Sequence, residues 1–276
     1  MPGITLIRVR RPALAAPLHR QMYPEAFSFT NTDYNMKNNH FAPVLALAVF
    51  AASSFFVTGC QVDPIQIGQL GVGKQVADDR GPAVPTPVCE CLNSRYASEA
   101  MSAEETAALL FAREETKMAR DITKLLSERW GTQVFRNMYA VEQDNFDMLG
   151  CLIDKYRLHD PAFATPGVFS NEILQSMYNN LAGQGLNSHN EALRVIALVQ
   201  EFGLYDLTNR GKLADNADIR VVFGGIMTDT RNNLRDISPV MTGAGISYLP
   251  SYINPGLYNT IVGSGHEVNP GVCPGN

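Results

Sequence analysis

The chain has 276 residues, of which 45% are apolar and 18% are charged, so it is long enough for one large domain or two small ones. A net charge of −5 argues against a nucleic-acid-binding protein, which usually carries a basic face. Five cysteines are too few for a fold built on disulfides, and a single long apolar stretch excludes a polytopic membrane protein.

The apolar stretch, residues 41–57, contains no charge and follows a short basic segment that begins at Met36. A short basic segment, an apolar core and small residues before the cleavage position are typical of a secretory signal peptide. The ending Val-Thr-Gly-Cys resembles the lipobox of bacterial lipoproteins, which predicts a signal peptide over residues 36–59 and a lipid on Cys60. The alternative is a transmembrane anchor with a chance cysteine. Gln61 implies, as in lipoproteins generally, sorting to an outer membrane, facing the periplasm or the cell surface.

Residues 1–35 show no periodic pattern, and we interpret them as an over-extended start upstream of the true one; the alternative is a long n-region. Residues 60–100 are rich in Gln, Gly and Pro, which predicts a semi-flexible tether. Beyond the signal peptide the chain would face an oxidising compartment, where its remaining cysteines allow three disulfide connectivities. These candidates are Cys89, Cys91, Cys151 and Cys273. The alternative for Cys151, which lies opposite the apolar stripe of its helix, is a free surface thiol.

Helical signals begin with a capping box at Ser102 and recur at Ser188. The apolar periodicity predicts helices over residues 102–130, 132–156, 171–182, 188–207 and 217–237. Four of these are long and one is short. They predict an all-α four-helix bundle with a short extra helix over residues 101–237, followed by an irregular C-terminal extension, residues 238–276.

Each long helix places polar residues within its apolar stripe. The second helix has Glu142 and Asn145 there, the third has Gln200, and the fourth has Asn233. On the first helix Glu114 and Glu115 flank the stripe on either side, and the periodicity does not choose between them. Buried polar groups are costly unless they are paired, so four helices that bring them to one level indicate a shared site. The known use of this geometry is a di-metal carboxylate centre for iron or manganese.

Several runs of the sequence closely resemble the ferritin-like domain of unknown function 2202 family. They are LLFAREETKMARDI, FRNMYAVEQDNFDML, DPAFATPGVFSNEILQSMYNNL, EALRVIALVQEFGLYDL and TRNNLRDI. The match covers about residues 100–262 in order. This resemblance implies a ferritin-like bundle and, in typical members, a di-iron site.

The resemblance also implies ligands that this chain lacks. Where the family pattern has a histidine on the second and fourth helices, this sequence has Asn145 and Asn233. Where the pattern has a glutamate and an aspartate on the third helix, this sequence has Gln200 and Gly203. Amides can hydrogen-bond one another and a remaining glutamate, which predicts a vestigial site without a resident metal. Its predicted members are Glu114, Glu115, Glu142, Asn145, Gln200 and Asn233.

Two functional hypotheses follow. The first is a non-catalytic, membrane-anchored ferritin-like lipoprotein that needs no cofactor and acts structurally or through an unidentified protein partner. The second is a metal-dependent oxidoreductase or metal-handling protein that uses iron or another divalent cation at a reduced site.

Overall fold

A computed structural model describes residues 87–269 and 271–273 of the chain. The predicted over-extended start, signal peptide and Cys60 lie outside these residues, as does most of the predicted tether. The described part is all-α, with seven helices and no strand among its residues. The helices are α1 (Pro87–Arg95), α2 (Ala103–Trp130), α3 (Gln133–Lys155), α4 (Glu172–Asn187), α5 (His189–Arg210), α6 (Ala217–Gly243) and α7 (Pro255–Val262).

The four long helices form a closed bundle. Helix α2 packs against α3 and α5, and α6 packs against the same two helices from the other side. The shorter α4 lies over α2 and α5. This arrangement is the predicted four-helix bundle with one short extra helix.

Local capping explains where the helices begin and end. The Ser102 hydroxyl accepts a hydrogen bond from the Glu105 backbone N–H at 3.0 Å, and Ser188 accepts one from Glu191 at 3.1 Å. Both satisfy an N–H that has no partner within its helix. Gly131 ends α2 in the left-handed conformation, with φ of 63°, which costs glycine little.

Four elements differ from the prediction. Residues 87–95, placed in the tether, form helix α1, which packs on α3. Helix α6 continues past residue 237 to Gly243, although Pro239 lies within its last two turns and removes one backbone donor. Helix α4 likewise extends to Asn187. The C-terminal extension contains α7, which starts with an Asn254 cap and a proline at its first turn.

Two disulfides attach the ends of the described chain to the bundle. Cys89 of α1 pairs with Cys151 of α3, with Cα atoms 5.0 Å apart. Cys91 pairs with Cys273 near the C-terminus, with Cα atoms 6.3 Å apart. Of the three possible connectivities the structure therefore has this one. Cys151 is buried, because α1 covers the face of α3 that points away from the bundle core.

Among the residues described, none of the helices is both apolar enough and long enough to cross a membrane.

Candidate functional site

Three polar side chains from three helices meet inside the bundle. Glu142 of α3 accepts two hydrogen bonds on Oε1, from Gln200 Nε2 of α5 at 2.9 Å and from Asn233 Nδ2 of α6 at 3.3 Å. Asn233 Nδ2 also lies 3.1 Å from Gln200 Oε1, to which it donates. All three side chains are buried. These three side chains form a closed triangle of hydrogen bonds, here called the amide network. Each side chain in it supplies some of the hydrogen-bond donors or acceptors that the others need.

The carboxyl group of Glu142 is held in an environment that disfavours its charge. Burial raises the pKa of Glu142 from 4.5 to about 7, although the hydrogen bonds from Gln200 and Asn233 act in the opposite direction. Desolvation therefore outweighs hydrogen bonding at this position. The carboxyl group of Glu142 therefore changes between its protonated and ionised forms near neutral pH.

Glu115 is the glutamate of α2 that faces the interior. Burial raises its pKa well above 4.5, the carboxylates of Asp206 and Glu142 raise it further, and Arg210 opposes them. Its Oε1 lies against Gly203 of α5, where a Cβ atom would be only 3.0 Å away. The glycine therefore gives Glu115 room that any larger residue would occupy.

The cavity between these groups is very small. It is lined by Glu115, Glu142 and Gln200 together with Gly203, Thr230 and apolar neighbours. Its volume is about 10 Å³, which is room for about one water molecule.

Glu114, the other candidate on α2, does not face this cavity. Its Oε1 accepts a hydrogen bond from the Ser170 backbone N–H at 2.6 Å. Its Oε2 accepts from the Ser170 hydroxyl at 2.6 Å and from the Asn171 backbone N–H at 3.1 Å. Glu114 therefore fixes the loop that leads into α4, and a negative charge at that helix N-terminus is favourable.

Two polar residues that neighbour the amide network in sequence point away from it, toward the C-terminal extension. Glu201 Oε2 accepts hydrogen bonds from the backbone N–H groups of Ser251 and Tyr252, at 2.7 and 3.1 Å. Asn232 bonds both backbone groups of Glu267, at 2.9 Å each. These side chains hold the extension on the bundle.

Asn145, the last of the predicted site residues, stands apart from the amide network. Only 1% of its surface is exposed, yet neither its Oδ1 nor its Nδ2 has a hydrogen-bond partner in the described structure. It lines a second and much larger cavity on the outer side of α3 and α6. The structure thus joins Glu142, Gln200 and Asn233, places Glu115 beside them, and separates Glu114 and Asn145 from them.

The donors that face the interior do not fit a pair of iron ions. Two carboxylates are available there, those of Glu115 and Glu142, and the neighbouring amides are engaged with Glu142 and with each other. An iron pair in a four-helix bundle uses four glutamates and two histidines. Within residues 87–269 and 271–273, no three side chains of His, Cys, Asp or Glu are placed to hold one ion together.

Sequence reasoning missed several buried ion pairs, two of which each lie within a single helix. Asp206 and Arg210 of α5 form a pair at 2.5 Å, and the Arg210 guanidinium stacks on Phe111, 3.6 Å from the ring centre. Lys117 of α2 is fully buried and donates to Asp121 at 2.7 Å. Both pairs are four residues apart, which is the spacing that brings opposite charges together on a helix. That spacing was the available signal.

Residues 105–265 match the model of a family described as "Uncharacterized protein domain (DUF2202)". The chain belongs to this family. It is similar to the uncharacterized protein MJ0754 of Methanocaldococcus jannaschii, with 33% identity over 175 residues that cover 63% of this chain and 95% of that protein. It is also similar to a crystal structure described as hypothetical protein MJ0754 from Methanococcus jannaschii DSM 2661. That likeness has a TM-score of 0.60 and 33% identity, and covers 62% of this chain and 98% of the other.

Proposed function

We propose that this protein is a membrane-anchored, ferritin-like lipoprotein in which an amide network replaces a di-metal centre, and that it acts structurally or by binding a protein partner. The observation that carries the proposal is the triangle of Glu142, Gln200 and Asn233. At positions where the family pattern has metal ligands, these side chains satisfy one another. A network that is satisfied in this way stabilises a bundle interior without an ion.

The position of the other acids supports the same proposal. The carboxylate of Glu114 accepts hydrogen bonds from backbone N–H groups of the loop before α4. The carboxylate of Glu201 accepts them from backbone N–H groups of the C-terminal extension. Carboxylates that would bind metal in a ferritin-like centre therefore stabilise connections between elements instead. In this proposal the bundle keeps its shape without a metal centre.

The membrane anchor in this proposal depends on the signal-like residues 36–59 and Cys60, which lie outside the described residues. The pairing of Cys89 with Cys151 and of Cys91 with Cys273 supports export, because disulfides persist in oxidising compartments. The test is incorporation of an alkyne-tagged palmitate by cells that express the chain. We expect labelling of the wild-type protein and none of Cys60→Ala; equal labelling of both would contradict the anchor.

A metal-dependent function is the second candidate. It is favoured by the fact that Glu115 and Glu142 line the same cavity. Carboxylates from two neighbouring helices are ligands of a type that suits divalent metal ions, so a site with fewer ligands than a di-iron centre could form there. This candidate predicts that a metal bound there is lost when either carboxylate is removed.

Metal analysis separates the two candidates. The chain is purified without chelator, analysed for metals and titrated with ferrous iron under exclusion of oxygen. We expect well below one ion per chain in the wild type. A variant that introduces metal-binding side chains at two positions of the amide network (Gln200→Glu, Asn233→His) provides the comparison for increased metal content. One or two tightly held ions in the wild type, lost in Glu142→Ala, would overturn the proposal.

A further inference from the structure

The last described residues of the C-terminal extension form a strap, defined here as residues 264–269 and 271–273, which contains no helix or strand. Two attachments hold this strap on the bundle. Near its start, the Glu267 carboxylate accepts hydrogen bonds from Arg231 Nε and Arg235 Nη2, both at 2.7 Å. At its far end, Cys273 forms the disulfide with Cys91 of α1. The first attachment is polar and the second is covalent.

The far end of the strap makes only small contacts beside its disulfide. Val272 is 4% exposed and belongs to the same buried apolar cluster as Leu92 of α1 and Val222 of α6. Its backbone carbonyl accepts a hydrogen bond from the Tyr96 hydroxyl at 3.1 Å. One hydrogen bond and one small apolar side chain contribute little stability by comparison with a covalent bond. The disulfide therefore decides whether the far end of the strap stays on the bundle.

The two disulfides of this protein have different surroundings. Cys91 and Cys273 are both partly exposed, whereas Cys151 is only 5% exposed. In thiol–disulfide exchange a thiolate attacks one sulfur and the other sulfur leaves as a thiolate. Burial blocks attack on Cys151, and attack on Cys89 would release the Cys151 thiolate into apolar surroundings, which disfavour it. At the strap both sulfurs can be attacked, and the thiolate that leaves lies close to water.

Helix α1 has a further attachment that does not involve the strap. Lys155 Nζ of α3 donates hydrogen bonds to the backbone carbonyls of Leu92 and Tyr96, at 3.0 and 2.8 Å. Cleavage of the disulfide between α1 and α3 would therefore not by itself release α1. Cleavage of the other disulfide requires only a segment without helical hydrogen bonds to move, and such segments open locally at low cost.

We propose that the disulfide between Cys91 and Cys273 is a redox switch, which a dithiol reductant opens while the disulfide between α1 and α3 stays closed. In the oxidised protein the far end of the strap covers apolar surface of the bundle. In the reduced protein this end detaches and uncovers that surface, and Glu267 still holds the start of the strap. This switch depends only on the disulfides and the strap, and it is independent of the amide network and of the lipid anchor.

The reaction consumes one dithiol for each switch that opens. A thiolate of the reductant attacks Cys91 Sγ, the S–S bond breaks, and Cys273 leaves as a thiolate that takes up a proton. The second thiol of the reductant then displaces Cys91 from the mixed disulfide. The reductant is oxidised to its own disulfide, and the protein gains two electrons and two protons.

Timed reduction of the full chain by dithiothreitol, in non-ionic detergent, tests the selectivity. Free thiols are blocked with iodoacetamide at each time and located by peptide mapping. We expect Cys91 and Cys273 to become free about tenfold faster than Cys89 and Cys151. In concentrated urea the difference should disappear, because both disulfides are then exposed to the reductant. Equal rates in the folded protein, faster release of Cys89 and Cys151, or a difference that persists in urea would overturn the proposal.

Nitroxide spin labels test whether the disulfide controls the strap. In Cys60→Ala/Cys91→Ser the free thiol is Cys273, and in the matched control Cys60→Ala/Cys273→Ser it is Cys91. The label on Cys273 should give the narrow lines of nanosecond motion. The label on Cys91 should give broad lines, because the other disulfide keeps α1 on α3. Broad lines from Cys273 would show that the strap stays attached without its disulfide, and narrow lines from Cys91 would show that α1 detaches as well; either result would overturn the proposal.

Discussion

Replacing Glu142 by glutamine should remove a pH dependence from the stability of this protein. In the folded state the pKa of Glu142 is raised to about 7 by burial, compared with an ordinary value of 4.5. Between these values the folded state holds a proton that the unfolded state has released. The free energy of unfolding therefore falls as pH rises through this interval. The contribution is fully present below pH 4.5 and is lost above about pH 7.

The size of this effect follows from the difference between the two pKa values. At about 1.4 kcal/mol for each pH unit, the buried carboxyl group costs about 3 kcal/mol once it is ionised. In Glu142→Gln, the new amide oxygen still accepts from Gln200 and Asn233, so the triangle is kept. The variant cannot ionise, so its stability relative to the wild type should rise by about 3 kcal/mol between pH 4.5 and pH 8.

Urea unfolding followed by far-UV circular dichroism, with the disulfides oxidised, measures this difference at a series of pH values. Glu115 and Asp206 titrate in both proteins, so they cancel in the comparison apart from the coupling of Glu115 to Glu142. Glu128→Gln, at an exposed position on α2, is the control and should change stability by less than about 0.5 kcal/mol at each pH. Parallel pH profiles for the wild type and Glu142→Gln would refute the reasoning.

Three further perturbations test the surroundings of the site. Glu114→Ala leaves three donors of the loop before α4 without their acceptor, and should lower the free energy of unfolding by about 2–4 kcal/mol, measured by urea unfolding. Gly203→Ala places a Cβ atom 3.0 Å from Glu115 Oε1 and should cost about 1–3 kcal/mol; a double-mutant cycle should show that most of this cost disappears with Glu115→Ala. Replacing Cys91 and Cys273 together by serine should cost about 2–4 kcal/mol, and peptide mapping of the unreduced wild type should recover a peptide that joins them.

For each of these three predictions, one result would contradict the reasoning. A Glu114→Ala protein as stable as the wild type would show that water replaces the carboxylate at that loop. A Gly203→Ala cost that persists in the double variant would place the conflict with another neighbour. A mapped peptide that joins Cys91 to a different cysteine would contradict the connectivity.

The helices were predictable because their signals are local. The Ser102 and Ser188 hydroxyls bond within three residues, and Gly131 adopts a conformation that its own backbone allows. The spacing of apolar residues then assigns most faces of the long helices. Helix α1 was missed because it is short, follows a Pro-rich segment and depends on packing against α3 and on a disulfide for its stability.

The candidate site was predictable only in part. The periodicity of α3, α5 and α6 brought Glu142, Gln200 and Asn233 to one level, and the structure joins them by hydrogen bonds. The same periodicity left Glu114 and Glu115 unresolved, since both flank the stripe. The choice depends on Ser170 and Asn171, whose backbone donors come from another part of the chain.

The sequence alone therefore determined the helical class, the main helix boundaries and the polar layer, because each of these follows from spacing and capping within the individual helices. The family followed from the resemblance of several runs of the sequence to its members. The tertiary structure decided which glutamate faces the interior, which cysteines pair, and that Asn145 belongs to an outer cavity. Those outcomes depend on hydrogen-bond donors and walls that distant segments supply. A periodic pattern fixes the direction of a side chain, and the partner that meets it there is set by the packing of the whole bundle.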